Sequence, residues 1–176
     1  AAIRLAQLGA KVLVAEKDKL GGTCLNRGCI PTEALLQCAE FYEQVKESAS
    51  MGVKVTGLEA DIGVVNGRKS KVVEQLVGGV GMLMKANGIT VVYGTAGIAG
   101  RGEVSVTARG VTETYRAKNI LIASGSKPSS VPVPGINGKD VITSNEELDM
   151  GSVPGREGVI DGGVNGVGVE IGGGGI

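Results

Sequence analysis

"AAIRLAQLGAKVLVAEKDK", residues 1–19, sets out the fold in four successive features. Residues 1–8 read as a helix with Ile3, Leu5 and Leu8 apolar, and Gly9 stops it. Residues 11–16 read as a short buried strand, with Val12, Leu13, Val14 and Ala15 in a row and Glu16 at the end. Helix, glycine, apolar strand and terminal acid form the second half of a dinucleotide-binding βαβ unit, whose acid accepts hydrogen bonds from ribose hydroxyls. The first half, a strand and a G-x-G-x-x-G turn, is expected just before Ala1. Taken on this segment alone, Glu16 reads more simply as a solvated strand-end acid.

Composition narrows the function classes. The chain has 176 residues, enough for one domain or a little more. Lys+Arg and Asp+Glu balance at 18 each, so there is no electrostatic case for nucleic acid or an anionic membrane. No apolar run is long enough to span a bilayer, and no basic region leads into an apolar core and cleavage site. A cytoplasmic location is the expectation. Three cysteines are too few for a disulfide scaffold. The absence of histidine removes the commonest general base and metal ligand.

Further along, a helix is expected from Pro31 to about Ser48 and another over roughly Arg68–Ala86. "ITVVYG" (89–94) reads as a strand, and "EVSVTARGVTETYRA" (103–117) alternates in period two around Gly110, as a hairpin does. "NILIASGS" (119–126) reads as another apolar strand running into a turn. "KPSSVPVPG" (127–135) is an extended linker, because each proline disfavours helix before it. The end, "GVIDGGVNGVGVEIGGGGI" (158–176), begins a strand and a glycine-rich turn.

"GGTCLNRGCIPTEALL" (21–36) sets Cys24 and Cys29 on a C-x4-C spacing. Cys29 lies within a turn of the Pro31 helix start, and Pro31 suits the first helical position. Unpaired amides and the macrodipole there favour a thiolate. A staple is a weak reading, since so small a ring gives little loop-closure stabilisation. A zinc site needs further ligands, and only Cys38 and carboxylates are on offer. The pair is better read as a redox couple, and Cys38 as a small core residue of its helix.

These residues closely resemble the redox-active segment of the flavin-dependent pyridine nucleotide–disulfide oxidoreductases, most of all the dihydrolipoamide dehydrogenase type. "VLVAEKDKLGGTC", "LMKANGITVVYGTA", "GRGEVSVT", "AKNILIASGSKPSSVPVPGINGKDVITS" and "GVIDGGVNGVGVE" follow that family's order along essentially the whole chain. The resemblance implies an α/β fold: a truncated Rossmann-like FAD-binding domain with a parallel sheet and an added β-meander. Residues 1–154 would be a partial FAD-binding domain and 155–176 the start of an NAD-binding domain. Cys24 would exchange with dihydrolipoamide, and Cys29 would face the flavin. Glu16 would bind the adenosine ribose of FAD. Gly21, Gly22, Thr23 and Glu33 would pass close to the cofactor, Gly94, Thr95 and Ala96 would meet its adenine, and Ala123, Ser124 and Gly125 would line the flavin nucleotide. Gly162, Gly163 and Gly166 would belong to the NAD turn. Electrons would pass from dihydrolipoamide to the cysteines, to FAD, to NAD. The partner would be dihydrolipoamide or a lipoyl-carrying protein of a 2-oxoacid dehydrogenase or glycine-cleavage system, and the full-length parent a homodimer.

The sequence also departs from that family. Glu33 stands where the family has lysine, one turn beyond Cys29, and a carboxylate there disfavours the thiolate by about 1 kcal/mol. An acid in a first helical turn also suits the dipole. Asp161 occupies the first glycine position of the second nucleotide turn and opposes a pyrophosphate. Without a histidine the family's acid–base partner is missing, so these 176 residues alone are expected not to reduce NAD. The competing expectations are a non-enzymatic fragment whose cysteines are relics, and a glutathione- or mercuric-reductase-like enzyme.

Overall fold

The computed structural model describes residues 1–128, 132–155, 157–160 and 169–172. The chain divides into two compact units, Ala1–Gly22 with Glu74–Gly125 and Thr23–Val73 with Ser126–Ile176. The fold is α/β, with a parallel strand pair and an antiparallel meander in the first unit.

In the first unit the same local device is used twice. Helix α1 (Ala2–Gln7) ends where Gly9 takes φ +87°, with the Gly9 amide donating to the Ala6 carbonyl (2.9 Å) and Ala10 to Leu5 (3.0 Å). Helix α4 (Ile62–Ala86) ends in the same way at Gly88, φ +64°, with Gly88 donating to Lys85 and Ile89 to Met84, both at 3.0 Å. Both are Schellman ends, in which a left-handed glycine turns the chain out of the helix and satisfies its last carbonyls. Each releases a strand, β1 (Leu13–Glu16) and β2 (Thr90–Tyr93), and the two pair in parallel from Leu13–Thr90 to Glu16–Tyr93.

Strands β3 (Thr95–Gly100), β4 (Glu103–Ala108) and β5 (Val111–Arg116) form the antiparallel meander. The β4–β5 turn places Arg109 and Gly110 at φ +50° and +80°, the mirror-image turn that fits the strands' twist. Val106 on β4, 2% exposed, is buried together with Leu20 and Ile89, and these are the buried apolar side chains of this unit among the described residues. The expected strand over 119–126 does not form, and Leu121 and Ile122 are 67% and 70% exposed. An apolar run becomes a strand only when neighbouring strands take up its amides, and no described strand pairs with it.

The second unit holds α2 (Gly22–Arg27, whose first residue belongs to the other unit), α3 (Cys29–Glu47) and a 3₁₀ turn at Ser48–Met51. Beyond these lie the first half of α4, the short α5 (Ser144–Glu147), and β6 (Val141–Thr143), β7 (Glu157–Ile160) and β8 (Val169–Gly172) in the order β6-β8-β7, all antiparallel. α3 begins at Cys29 rather than at Pro31. Proline lacks only an amide that the first turn leaves unpaired in any case, so Pro31 is accommodated two residues inside the helix. α4 begins six residues ahead of Arg68 because the Asp61 carboxylate accepts from the Val64 amide (3.0 Å) and caps it.

Polar ties hold this unit. Arg68 donates from Nη1 to the Ala34 carbonyl (3.2 Å) and from Nη2 to the Gln37 side chain, and approaches Cys38 Sγ at 3.8 Å. Asn66 donates to the Met150 carbonyl at 2.8 Å. The buried Lys69 ammonium donates to the Leu148 carbonyl and lies 2.5 Å from the Asp149 carboxylate. Thr143 and Glu146 form a reciprocal capping box on α5. The Thr143 hydroxyl, and then its amide, hold the Glu146 carboxyl below its ordinary pKa. Among the described residues no helix is long and apolar enough to cross a membrane.

Candidate functional site

Cys24 lies in α2 and Cys29 opens α3, with Gly28 as the residue between the helices. This differs from the expected placement of Cys24 on a loop and of Cys29 ahead of the helix. The change of direction at Gly28 brings the two Cα atoms to 4.7 Å, and the sulfurs are joined in a disulfide. Gly28 makes this approach possible: a Cβ there would meet Cys24 Cα at 3.1 Å and the Thr23 carbonyl at 3.2 Å. The spacing of the cysteines was readable in the sequence, whereas the need for glycine at 28 was not. A close backbone contact depends on how two helices meet, and its only local signal is a glycine between two cysteines.

Both cysteines are exposed, and Cys38, nine positions into the helix beyond Cys29, is a free thiol. Cys29 is the first residue of the 19-residue α3, at the end of the helix where the dipole is positive and the backbone amides lack intrahelical partners. Glu33 is exposed one turn further on, and no hydrogen bond or ion pair among the described residues engages its carboxylate. Ahead of the pair, Gly21 and Gly22 take φ +108° and +75°, successive left-handed positions that only glycine adopts without strain. The space where a Gly22 side chain would stand is open. Thr23 is exposed on the same stretch.

The first unit brings a second group together. Glu16 sits half-buried at the end of β1, its Oε1 accepting from the Asp18 amide at 2.8 Å. Its carbonyl accepts from the Gly94 amide, also at 2.8 Å, so Gly94, Thr95 and Ala96 start directly beside it. Gly94 is required by packing: a Cβ would meet the Thr107 carbonyl at 2.7 Å and Val106 Cγ1 at 2.8 Å. Ala123, Ser124 and Gly125 are exposed and outside any helix or strand, with Gly125 at φ +74°. Asp161, Gly162, Gly163 and Gly166 lie outside the described residues. Among the described residues no group of three His, Cys, Asp or Glu side chains is arranged to hold a metal ion.

A helix-start disulfide in an α/β chain with paired helix–glycine–strand units defines a class, and comparison with known families agrees. The family model described as pyridine nucleotide-disulphide oxidoreductase matches residues 1–173, and the chain belongs to that family. Among curated relatives it is 41% identical over 172 residues to the dihydrolipoyl dehydrogenase of Geobacillus stearothermophilus, covering 98% of this chain and 36% of that protein. It is 43% identical over 175 residues to the mitochondrial dihydrolipoyl dehydrogenase of Dictyostelium discoideum, with the same two coverages. The chain thus spans about a third of the length of these relatives. A solved structure of the HOCl-induced flavoprotein disulfide reductase RclA from Escherichia coli, as its Cu(II) complex, is similar at a TM-score of 0.69 and 25% identity. That match covers 88% of this chain and 32% of the reductase.

Proposed function

We propose that this chain is the flavin-side, disulfide-bearing part of an oxidoreductase that oxidises protein-bound dihydrolipoamide with NAD as the final acceptor. The observation that carries the reading is the exposed Cys24–Cys29 disulfide with Cys29 at the first position of α3. A lipoyl thiolate attacks Cys24, the sulfur–sulfur bond breaks, and Cys29 leaves as a thiolate into the field of the helix N-terminus. The second lipoyl thiolate then attacks the mixed disulfide at the lipoyl sulfur. This closes the lipoyl ring, releases Cys24, and leaves two electrons on the cysteine pair.

The residues present fit a flavin dinucleotide. Glu16 commits Oε1 to the Asp18 amide, which leaves Oε2 for a ribose hydroxyl, and Gly94–Ala96 starts beside it for the adenine. The left-handed backbone of Gly21 and Gly22 and the open space at Gly22 leave room for a cofactor beside this stretch. Ala123–Gly125 in the first unit, and Thr23 and Glu33 in the second, are further candidate cofactor contacts, and Gly162, Gly163 and Gly166 belong to the proposed NAD turn. When bound, FAD supplies two-electron acceptance from the dithiol and delivery to NAD. In this reading residues 1–154 are the FAD-binding part and 155–176 the start of the NAD-binding part. The enzyme is cytoplasmic and meets a lipoyl-carrying protein of a 2-oxoacid dehydrogenase or glycine-cleavage system.

The test is flavin binding by the purified chain. A yellow protein with bound-flavin absorbance, weakened by Glu16→Ala, is the expected result. A colourless protein that takes up no added FAD would favour a non-enzymatic piece with relic cysteines.

A further inference from the structure

The two helices joined by the disulfide are held very differently. α3 runs 19 residues and buries Pro31 and Ala34 soon after Cys29. Its first turn closes on Gly28, whose carbonyl accepts from the Thr32 amide at 3.1 Å. Arg68 of α4 grips it at the Ala34 carbonyl (3.2 Å) and the Gln37 side chain. At its far end the Ser48 hydroxyl donates to the Val45 and Val53 carbonyls at 2.6 and 3.1 Å. α2, by contrast, is 6 residues long and buries none of them, with Thr23, Cys24 and Arg27 exposed. Glycines stand at both ends of it, Gly21 and Gly22 in left-handed positions at the start and Gly28 behind. A helix shorter than about 12 residues is marginal by itself. The sulfur–sulfur bond is the covalent tie that fastens α2 to the anchored α3.

We propose that the disulfide is a redox switch for α2. Closed, it pins residues 22–28 against the start of α3; opened, it lets that segment loosen while α3 keeps its place. Opening takes two electrons and two protons from a dithiol, which closes to its own disulfide as Cys24 and Cys29 become thiols. A cross-link over so few residues does little for the whole fold, but here it acts on one short helix. Its loop-closure contribution, at a sequence separation of 5, favours the closed arrangement roughly 10- to 40-fold. In the mixed-disulfide step Cys24 carries the substrate sulfur, and a loosened α2 lets it move with that partner while Cys29 stays at the start of α3. This use of the switch deepens the redox reading above and rests on it, whereas the unlocking itself needs only the disulfide.

The test is hydrogen–deuterium exchange of the full chain, oxidised and then reduced with dithiothreitol. Every quenched sample is reduced before digestion, so that identical peptides are compared. Exchange over residues 22–28 is expected to rise about tenfold or more on reduction, with residues 31–47 unchanged. The double variant Cys24→Ser, Cys29→Ser, which cannot form the bond, is expected to exchange over 22–28 as the reduced wild type does, even under oxidising conditions. Unchanged exchange over 22–28 on reduction, or an equal rise along α3, overturns the switch. If α2 loosens with dithiothreitol while dihydrolipoamide leaves the disulfide closed, the switch stands and the proposed function falls.

Discussion

Gly28 and Gly94 are the two positions where one added carbon decides the most. At Gly28 a methyl would press on the Cys24 backbone at 3.1 Å, so Gly28→Ala should push α2 away from α3 and loosen the disulfide geometry. A stability loss of about 1 kcal/mol is expected, with an oxidation equilibrium moved toward the dithiol, read from the alkylated fraction in a series of thiol buffers. At Gly94 the clash is tighter and falls on the Thr107 carbonyl and the buried Val106, so Gly94→Ala should cost about 2–3 kcal/mol in urea unfolding. Equal costs at the two sites would contradict these contacts. The cysteine pair was legible because its chemistry is written in residue type and spacing. The two glycines were legible as glycines only, since what they touch is set by tertiary approach.

Elements were read best where their ends carry a local signal. Gly9 marks a helix end and Gly110 the hairpin in the sequence, because left-handed turns need particular residues there, and the structure adds Gly88 as a second helix end of the same kind. The run 119–126 was misread because strand formation depends on a partner, which no local pattern reports. The Lys69–Asp149 tie was equally hidden, joining residues 80 positions apart. Here the energetics are lopsided, since the Lys69 side chain is 5% exposed and that of Asp149 79%. Lys69→Met should cost about 1–3 kcal/mol by removing the donor to the Leu148 carbonyl, whereas Asp149→Asn should cost under about 1 kcal/mol. The reverse order in urea titrations would contradict this. The α5 cap adds a pH dependence. The folded pKa of Glu146 is lowered, so its contribution is present above the unfolded carboxylate range and is lost as pH falls through the folded value. Thr143→Ala should cost about 1 kcal/mol near neutral pH, with the gap to wild type narrowing in acid as Glu146 protonates.

For the whole molecule, the fold that the family resemblance implies and the structure agree on an α/β chain with a parallel pair and an antiparallel meander, and the family match runs over residues 1–173. These residues span 36% of the length of the curated relatives. With no histidine among the 176 residues, NAD reduction by this chain alone should fall far below that of an intact dehydrogenase, loss of a placed base being worth about 10²–10⁴ in rate. The half-reaction at the disulfide asks for no histidine. The most direct measurement is therefore the stoichiometric reaction of the oxidised chain with dihydrolipoamide, scoring lipoamide released and thiols formed by peptide mass spectrometry. The expected result is one lipoamide per chain, with new alkylation on both Cys24 and Cys29 and an unchanged label on Cys38. No lipoamide, or a disulfide that maps to Cys38, would contradict the assignment of Cys24 and Cys29 as the working redox couple.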